Sequence, residues 1–392
     1  MNSEIKVMIT TRETLKPSSP TPQTLKNFKL SLLDQLSPAA YVPMIIYYAP
    51  NCSDPDGLQT RHLLKKSLSK MLTKFYPLAG TLKDNHYMDC NDHGVDFFEA
   101  KVNCPLSDIL RKPETDVLNQ FLPSVSSEME FQVAIQVNTF ICGGIAIGTN
   151  ISHKLVDGIT FTSFMNVWAS MARGSDDYSP PIFVGPDFFP PKDLSGLFNQ
   201  VLDIPKAKNI TKRFVFELSK IAALRERIYG SSCPNPPSRV EILSALIWKW
   251  AMEVKSSLNR NSPSYLTQTV NLRPRMNPPL PDSAAGNFLW LAIAKEPINF
   301  LGLHDLVHEV QKSLKKLDNE YVKKIQGEDG LLVLGETLDE IGELVLKDAD
   351  IYRFTSLRKF ELYEADFGWG KPVWVSSAEL AFKNVIMLIE TK

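Results

Sequence analysis

Among the six histidines of the chain, His153 is the one placed for chemistry. It stands in Ser152-His153-Lys154-Leu155-Val156-Asp157-Gly158, behind a run of small and β-branched residues and ahead of an apolar stretch. Three readings of this histidine compete. It can be a core side chain with its ring nitrogens satisfied. It can pair with Asp157 at i, i+4 around a metal ion, although no nearby segment supplies a third ligand. It can also be a general base: with a reference pKa near 6.5, imidazole is roughly nine-tenths neutral about one pH unit higher. Neutral, it would accept the proton of a hydroxyl or amine attacking a carbonyl. Spacing alone leaves the three open. His62, His86 and His93 lie in polar surroundings, and His304 and His308 lie in a charged helical stretch, so all five read as solvated surface.

A second unusual segment is Tyr363-Glu364-Ala365-Asp366-Phe367-Gly368-Trp369-Gly370-Lys371-Pro372. Two glycines around a tryptophan, closed by a proline, call for a tightly turned backbone. Other familiar sites are absent: there is no GxSxG, GxxxxGK[ST], GxGxxG or HExxH pattern. Cys142, beside Gly143-Gly144, reads as a small apolar filler on a buried strand and not as a nucleophile.

The elements that must position these residues are legible from periodicity. Ile5, Val7 and Ile9 alternate as a first strand, and the prolines from Pro17 to Pro22 then break regular structure. Tyr41 to Tyr48 reads as a buried strand; Leu64, Leu68, Met71, Leu72 and Phe75 form a helical stripe stopped by Pro77 and Gly80. Phe131 to Val137 and Gly143 to Ile151 read as paired strands, followed by Phe161, Phe164, Met165 and Trp168 at helical spacing. His153 therefore falls at a strand-to-helix junction, where side chains and backbone donors are exposed at a sheet end.

Residues 174–212, with Pro180-Pro181 and Pro190-Pro191 and no clear period, read as a connection between two halves. Beyond it, Arg213 to Phe216 reads as a strand. Ser238-Arg239-Val240-Glu241 is a capping box ahead of a stripe of Leu243, Leu246, Ile247 and Trp250. Leu306, Val310 and Leu314 mark a core stripe in the charged helical region 302–348, and Asn384 to Ile389 reads as a strand.

Composition bounds the setting. The chain has 392 residues, 44% hydrophobic, with 43 basic and 44 acidic side chains, which suits two globular domains. A net charge of −1 offers no excess to neutralise a phosphate backbone, so nucleic acid is not the expected partner. Five cysteines without a CxxC pair, no signal-peptide h-region at the N-terminus and no apolar run of about 18 residues point to a cytoplasmic protein off the membrane.

Taken together, His153-Lys154-Leu155-Val156-Asp157-Gly158 and Asp366-Phe367-Gly368-Trp369-Gly370 resemble the HxxxDG and DFGWG hallmarks of the plant BAHD acyltransferases, in the same order and about 210 residues apart. Leu30-Ser31-Leu32-Leu33-Asp34-Gln35, Phe75 to Gly80, Val270 to Pro279 and Gly286-Asn287 also resemble family segments, with the vinorine synthase-like branch as the nearest likeness. The resemblance implies an α/β fold of two chloramphenicol-acetyltransferase-like domains, each a mixed sheet flanked by helices, with the active-site channel between them. Residues 1–173 would form the first domain, 174–212 the crossover and 213–392 the second.

The activity implied is acyl-CoA-dependent O-acylation, acetyl being the acyl group of that branch, on an alkaloid or terpenoid alcohol. His153 would deprotonate the acceptor directly, without an acyl-enzyme. Asp157 would be structural, with Arg273 as its partner. Asp366 would likewise support structure, and Trp369 is a candidate oxyanion donor through its indole N–H, with packing as its competing role. The resemblance implies no metal, no permanently bound cofactor, acetyl-CoA or another acyl-CoA as co-substrate, and a monomer. The alternatives are N-acylation of an amine, or a non-catalytic CoA- or metabolite-binding relic. Two departures bear on the pocket. Family chains continue past the equivalent of Lys392 with a further strand and helix, so the second domain is expected to be short; and Thr355 to Phe360 lacks a tryptophan-cysteine pair.

Overall fold

The computed structural model describes residues 4–391 apart from 52, 55–56, 125–130, 196–209, 231–235, 259–261, 298–301, 359 and 381. Cys52, Cys233 and the middle of the 174–212 connection thus lie outside the described residues. Thirteen strands are described: β1 Val7–Leu15, β2 Asn27–Lys29, β3 Tyr41–Tyr48, β4 Thr81–Lys83, β5 Tyr87–Asp89, β6 Val95–Val102, β7 Val133–Phe140, β8 Ile145–Ser152, β9 Ser264–Asn271, β10 Leu289–Lys295, β11 Asp350–Ser356, β12 Trp374–Ser376 and β13 Val385–Leu388. They form a six-stranded sheet in the order β1-β6-β7-β8-β3-β12, a four-stranded sheet in the order β10-β9-β11-β13, and a small sheet β2-β5-β4.

Both large sheets are mixed. In the first, β6 and β7 run parallel while β1–β6, β7–β8, β3–β8 and β3–β12 are antiparallel. In the second, β9 and β10 are antiparallel, whereas β11 runs parallel to β9 and β13. Strand β12 comes from the C-terminal part of the chain yet completes the first sheet, pairing Trp374 with Tyr47 and Ser376 with Ile45.

Strand β8 explains how His153 is placed. Every residue from Ile145 to Ser152 is buried, because both faces of the strand are covered. Ile145, Ile147 and Ile151 join a core with Leu64, Leu68 and Met71 of the Leu58–Leu72 helix and Phe161, Phe164 and Trp168 of the Gly158–Ala172 helix. On the opposite face the chain at Phe121 crosses so closely that a Cβ at Gly148 would sit 1.9 Å from the Phe121 carbonyl oxygen. Only glycine fits there. Asn138 and Asn150 bond to the carbonyls of Phe121 and Pro123 at 2.9 Å each, satisfying that crossing segment.

Three expectations need correction. Arg213 to Phe216 is not a strand: no neighbouring strand offers it a ladder, and Phe214 is 77% exposed. Instead Arg213 lies over the Trp374 ring and Phe216 stacks on Trp250. In the Arg239–Ser257 helix the capping box forms as read, but the buried face is Ile242, Ala245, Trp248 and Met252, while Trp250 is 47% exposed. Both stripes have helical spacing, and the sheet beneath selects the one carrying small Ala245, which allows close approach. Cys142 sits exposed in the turn between β7 and β8, where its sulfur accepts the Leu106 backbone N–H.

Candidate active site

His153 follows β8 directly, in a turn whose backbone N–H is held by the Ala40 carbonyl at 2.9 Å. The Gly158–Ala172 helix starts five residues later, with Asp157 as its N-cap accepting the Thr160 N–H at 2.9 Å. The half-buried His153 lines a cavity of about 1610 Å³. One wall comes from the first part of the chain, with Leu36, Pro38 and Tyr41; the other comes from Leu289, Leu357 and Phe360.

Asp157 also borders this cavity, but its carboxylate is engaged by Arg273. Its Oδ2 accepts Arg273 Nη1 at 2.6 Å and its Oδ1 accepts Arg273 Nη2 at 3.1 Å. The Phe288 N–H adds a bond at 3.1 Å. Burial by itself would raise the Asp157 carboxyl, but Arg273 and the two backbone donors hold it below the usual carboxylate range. Arg273 is fully buried and also donates to the carbonyls of Ala284 and Gly286 and to Thr160 Oγ1. Both Asp157 oxygens are thus committed to Arg273 and to backbone N–H groups.

The residue that does meet His153 is Asn287, whose importance spacing could not reveal. Its Oδ1 lies 3.2 Å from His153 Nδ1, and its Nδ2 donates to the His153 carbonyl at 2.8 Å. Asp34 in turn accepts both the backbone N–H and the Nδ2 of Asn287, at 2.8 and 2.9 Å. Asp34 also closes a capping box with Ser31 at the start of the Leu32–Leu36 helix. The Ser31-x-x-Asp34 spacing was the available signal. Lys154, only 5% exposed, donates its ammonium to the Gln35 carbonyl at 2.8 Å.

Asp366 organises the second motif. Its Oδ1 accepts the N–H groups of Gly368 and Gly370, at 2.8 and 3.0 Å, and both glycines have positive φ, 109° and 115°. Phe367 packs at right angles to Trp168 and flat against Trp369, which itself lies edge-on to Tyr48. Of the described residues, neither Asp366 nor Trp369 lines the cavity that holds His153. Trp369 packs against the first core, and its buried indole Nε1 has no hydrogen-bond partner among the described residues.

This architecture matches known proteins. A sequence model described as the Transferase family matches residues 5–392. The chain belongs to this family, the BAHD acyltransferases. The acyltransferase is 37% identical to stemmadenine O-acetyltransferase of Catharanthus roseus, over 98% of this chain and 91% of the relative. It is 38% identical to limonoid 21-O-acetyltransferase of Melia azedarach, over 98% of this chain and 90% of the relative. Its structure superposes on crystalline vinorine synthase with a TM-score of 0.83 and 34% identity, covering 98% of this chain and 92% of that one. The fold is thus the two-domain α/β fold of these enzymes, and the chain is an acyl-CoA-dependent acyltransferase. Among the described residues no helix is long and apolar enough to cross a membrane.

Proposed function

We propose that this acyltransferase moves an acetyl group from acetyl-CoA to a hydroxyl of a plant specialised metabolite, an alkaloid or terpenoid alcohol, with His153 as general base. The observation carrying this reading is the placement of His153: Nδ1 meets Asn287, which leaves Nε2 as the free nitrogen of a ring lining the cavity. The proton of the acceptor hydroxyl passes to Nε2 as the oxygen attacks the thioester carbonyl. The tetrahedral intermediate then collapses, the C–S bond breaks, and the proton leaves with the CoA sulfur.

The cavity supports two substrates at once. Single drug-sized ligand sites occupy roughly 300–1,000 Å³, and about 1610 Å³ exceeds that range. Leu33, Pro43, Met44, Val156 and Ile159 give it an apolar lining suited to a hydrocarbon scaffold. Relatives named for O-acetyl transfer support acetyl as the acyl group and oxygen as the acceptor atom. In this reading residues 1–173 and 213–392 are the two acyltransferase domains, joined by 174–212, and the enzyme acts as a cytoplasmic monomer.

Release of free CoA from acetyl-CoA across a panel of alkaloid and terpenoid alcohols, with mass detection of the ester, tests the proposal. Ester formed by the wild type and lost in His153→Ala supports it. Equal activity in both removes His153 from the mechanism, and amide formed in preference to ester on amino alcohols would make the enzyme an N-acyltransferase.

A further inference from the structure

The hydrogen bonds behind His153 leave little freedom to assign. Asn287 Nδ2 faces two groups that can only accept, Asp34 Oδ1 at 2.9 Å and the His153 carbonyl at 2.8 Å. The amide therefore cannot be turned over, and its oxygen is the atom presented to His153 Nδ1 at 3.2 Å. An amide oxygen has no proton to give, so the neutral ring must carry its proton on Nδ1.

What holds Asn287 is Asp34, and Asp34 is surrounded by donors. Oδ1 receives the Asn287 N–H at 2.8 Å and Nδ2 at 2.9 Å. Oδ2 receives the Ser31 N–H at 3.0 Å and the Ser31 hydroxyl at 2.6 Å. That hydroxyl also accepts the Asp34 N–H at 3.1 Å, so its own proton points to the carboxylate. Four donors and no acceptor fit an ionised carboxylate only. Burial is the larger effect and leaves the Asp34 carboxyl above its ordinary value, while the bonds from Ser31 and Asn287 to the charged form offset part of it. The ammonium of Lys154, held on the carbonyl of the residue next to Asp34, adds favourable charge from the same side.

We propose that Asp34 is a positioning residue that acts through Asn287 to fix the tautomer and ring orientation of His153, so that Nε2 faces the cavity unprotonated. Lys154 is the buried counter-charge of this arrangement. The inference deepens the general-base reading of His153 and rests on it. It places the third member of the site on a segment 119 residues before His153 and 253 before Asn287.

An isosteric Asp34→Asn variant breaks the pattern whichever way its amide turns, because its NH₂ must then face either Ser31 or Asn287 donors. The test is a long-range proton–nitrogen correlation spectrum of the full chain labelled at histidine, taken about one pH unit above the free imidazole value, where the Lys154 ammonium is still charged, with His153→Ala to assign the resonances. In the wild type, His153 should show a protonated Nδ1 and a bare Nε2. In Asp34→Asn the two nitrogens should average or exchange roles. kcat should fall by at least about 10-fold and by no more than the roughly 10,000-fold that a wrong imidazole tautomer costs in a Ser-His-Asp triad, while the KM for acyl-CoA stays within about twofold.

Unchanged nitrogen shifts and an unchanged kcat in Asp34→Asn overturn the proposal. If that variant does not fold, Asn287→Ala carries the same test: a wild-type nitrogen pattern there overturns it equally. Full activity in His153→Ala would sink the general-base reading instead. The nitrogen pattern does not depend on turnover, so the two failures are distinguishable.

Discussion

The guanidinium of Arg273 and the carboxylate of Asp157 meet bidentately, Nη1 to Oδ2 at 2.6 Å and Nη2 to Oδ1 at 3.1 Å, with neither side chain more than 3% exposed. The pair bridges the start of the Gly158–Ala172 helix and the turn Arg273–Arg275 that follows β9. Geometry this enclosed makes the two charges mutually dependent. Removing one leaves the other buried without compensation, at a cost of about 3–5 kcal/mol. We expect Asp157→Ala to lose that much stability in denaturant unfolding and to lose activity with it. Arg273→Lys should be nearly as damaging, since a point charge cannot make the bidentate contact.

The same pair gives the stability a pH signature. Because Arg273 holds the Asp157 carboxyl below its ordinary value, its contribution is complete above about 3.8 and disappears as pH falls through the folded value. Wild type should therefore lose stability on acidification below about pH 4 more steeply than Asp157→Asn. Parallel curves from urea midpoints taken across that window would show the carboxylate to be an ordinary one.

Gly158 is fixed by contact. A Cβ at this position would lie 2.3 Å from Phe360 Cε2 and 3.1 Å from Leu357 Cδ2, and both of those side chains line the cavity. Gly158→Ala should displace Phe360, costing about 1–3 kcal/mol in overpacking and raising the acceptor KM more than the acyl-CoA KM. The double variant Gly158→Ala/Phe360→Leu should recover part of the loss. No recovery would locate the damage in the helix start and not in the pocket wall.

The elements that carry these residues were readable because their burial follows local pattern. Strand β8 is an unbroken run of buried residues, β3 is buried from Met44 to Tyr48, and the stripe from Phe161 to Trp168 has one apolar face. The Arg239–Ser257 helix shows where pattern fails: two faces have helical apolar spacing, and only packing against the second sheet decides between them. Arg213 to Phe216 has strand composition but no partner edge, and a strand without a partner does not form. The Asp34–Asn287–His153 contacts join residues up to 253 apart, and no periodicity encodes which distant polar groups meet. Strand β12 is hidden for the same reason, since its partner β3 lies more than 300 residues earlier.

Asp366 and the two glycines predict a structural phenotype for the DFGWG turn. Gly368→Ala forces a side chain into positive φ, which costs on the order of 1–3 kcal/mol. Asp366→Ala removes the acceptor of two backbone N–H groups, each net bond contributing about 0.5–1.5 kcal/mol. Both variants should lower Tm, and kcat measured well below the melting range should fall far less than in His153→Ala. A kcat loss in Asp366→Ala equal to that of His153→Ala, without a shift in Tm, would bring Asp366 into the chemistry.

Lys154 should leave the opposite pH signature to Asp157. Its ammonium is buried, and burial lowers its pKa to about 8, with the Asp34 charge offsetting only part of that. An unfolded lysine titrates near 10.4, so between about pH 8 and 10.4 the unfolded chain binds the extra proton. Stability then rises with pH relative to a chain lacking this group, because the folded state sheds a charge that is costly to bury. The penalty is fully present below about pH 8 and is relieved above it. Each pH unit across the window is worth at most about 1.4 kcal/mol, giving a total of about 2–3 kcal/mol. The stability difference between wild type and Lys154→Met, measured by reversible urea unfolding at pH 7 and again near pH 10, should therefore move in favour of wild type at the higher pH. A difference that stays flat would mean that the Lys154 ammonium reaches water in the folded enzyme and is not the buried counter-charge of Asp34.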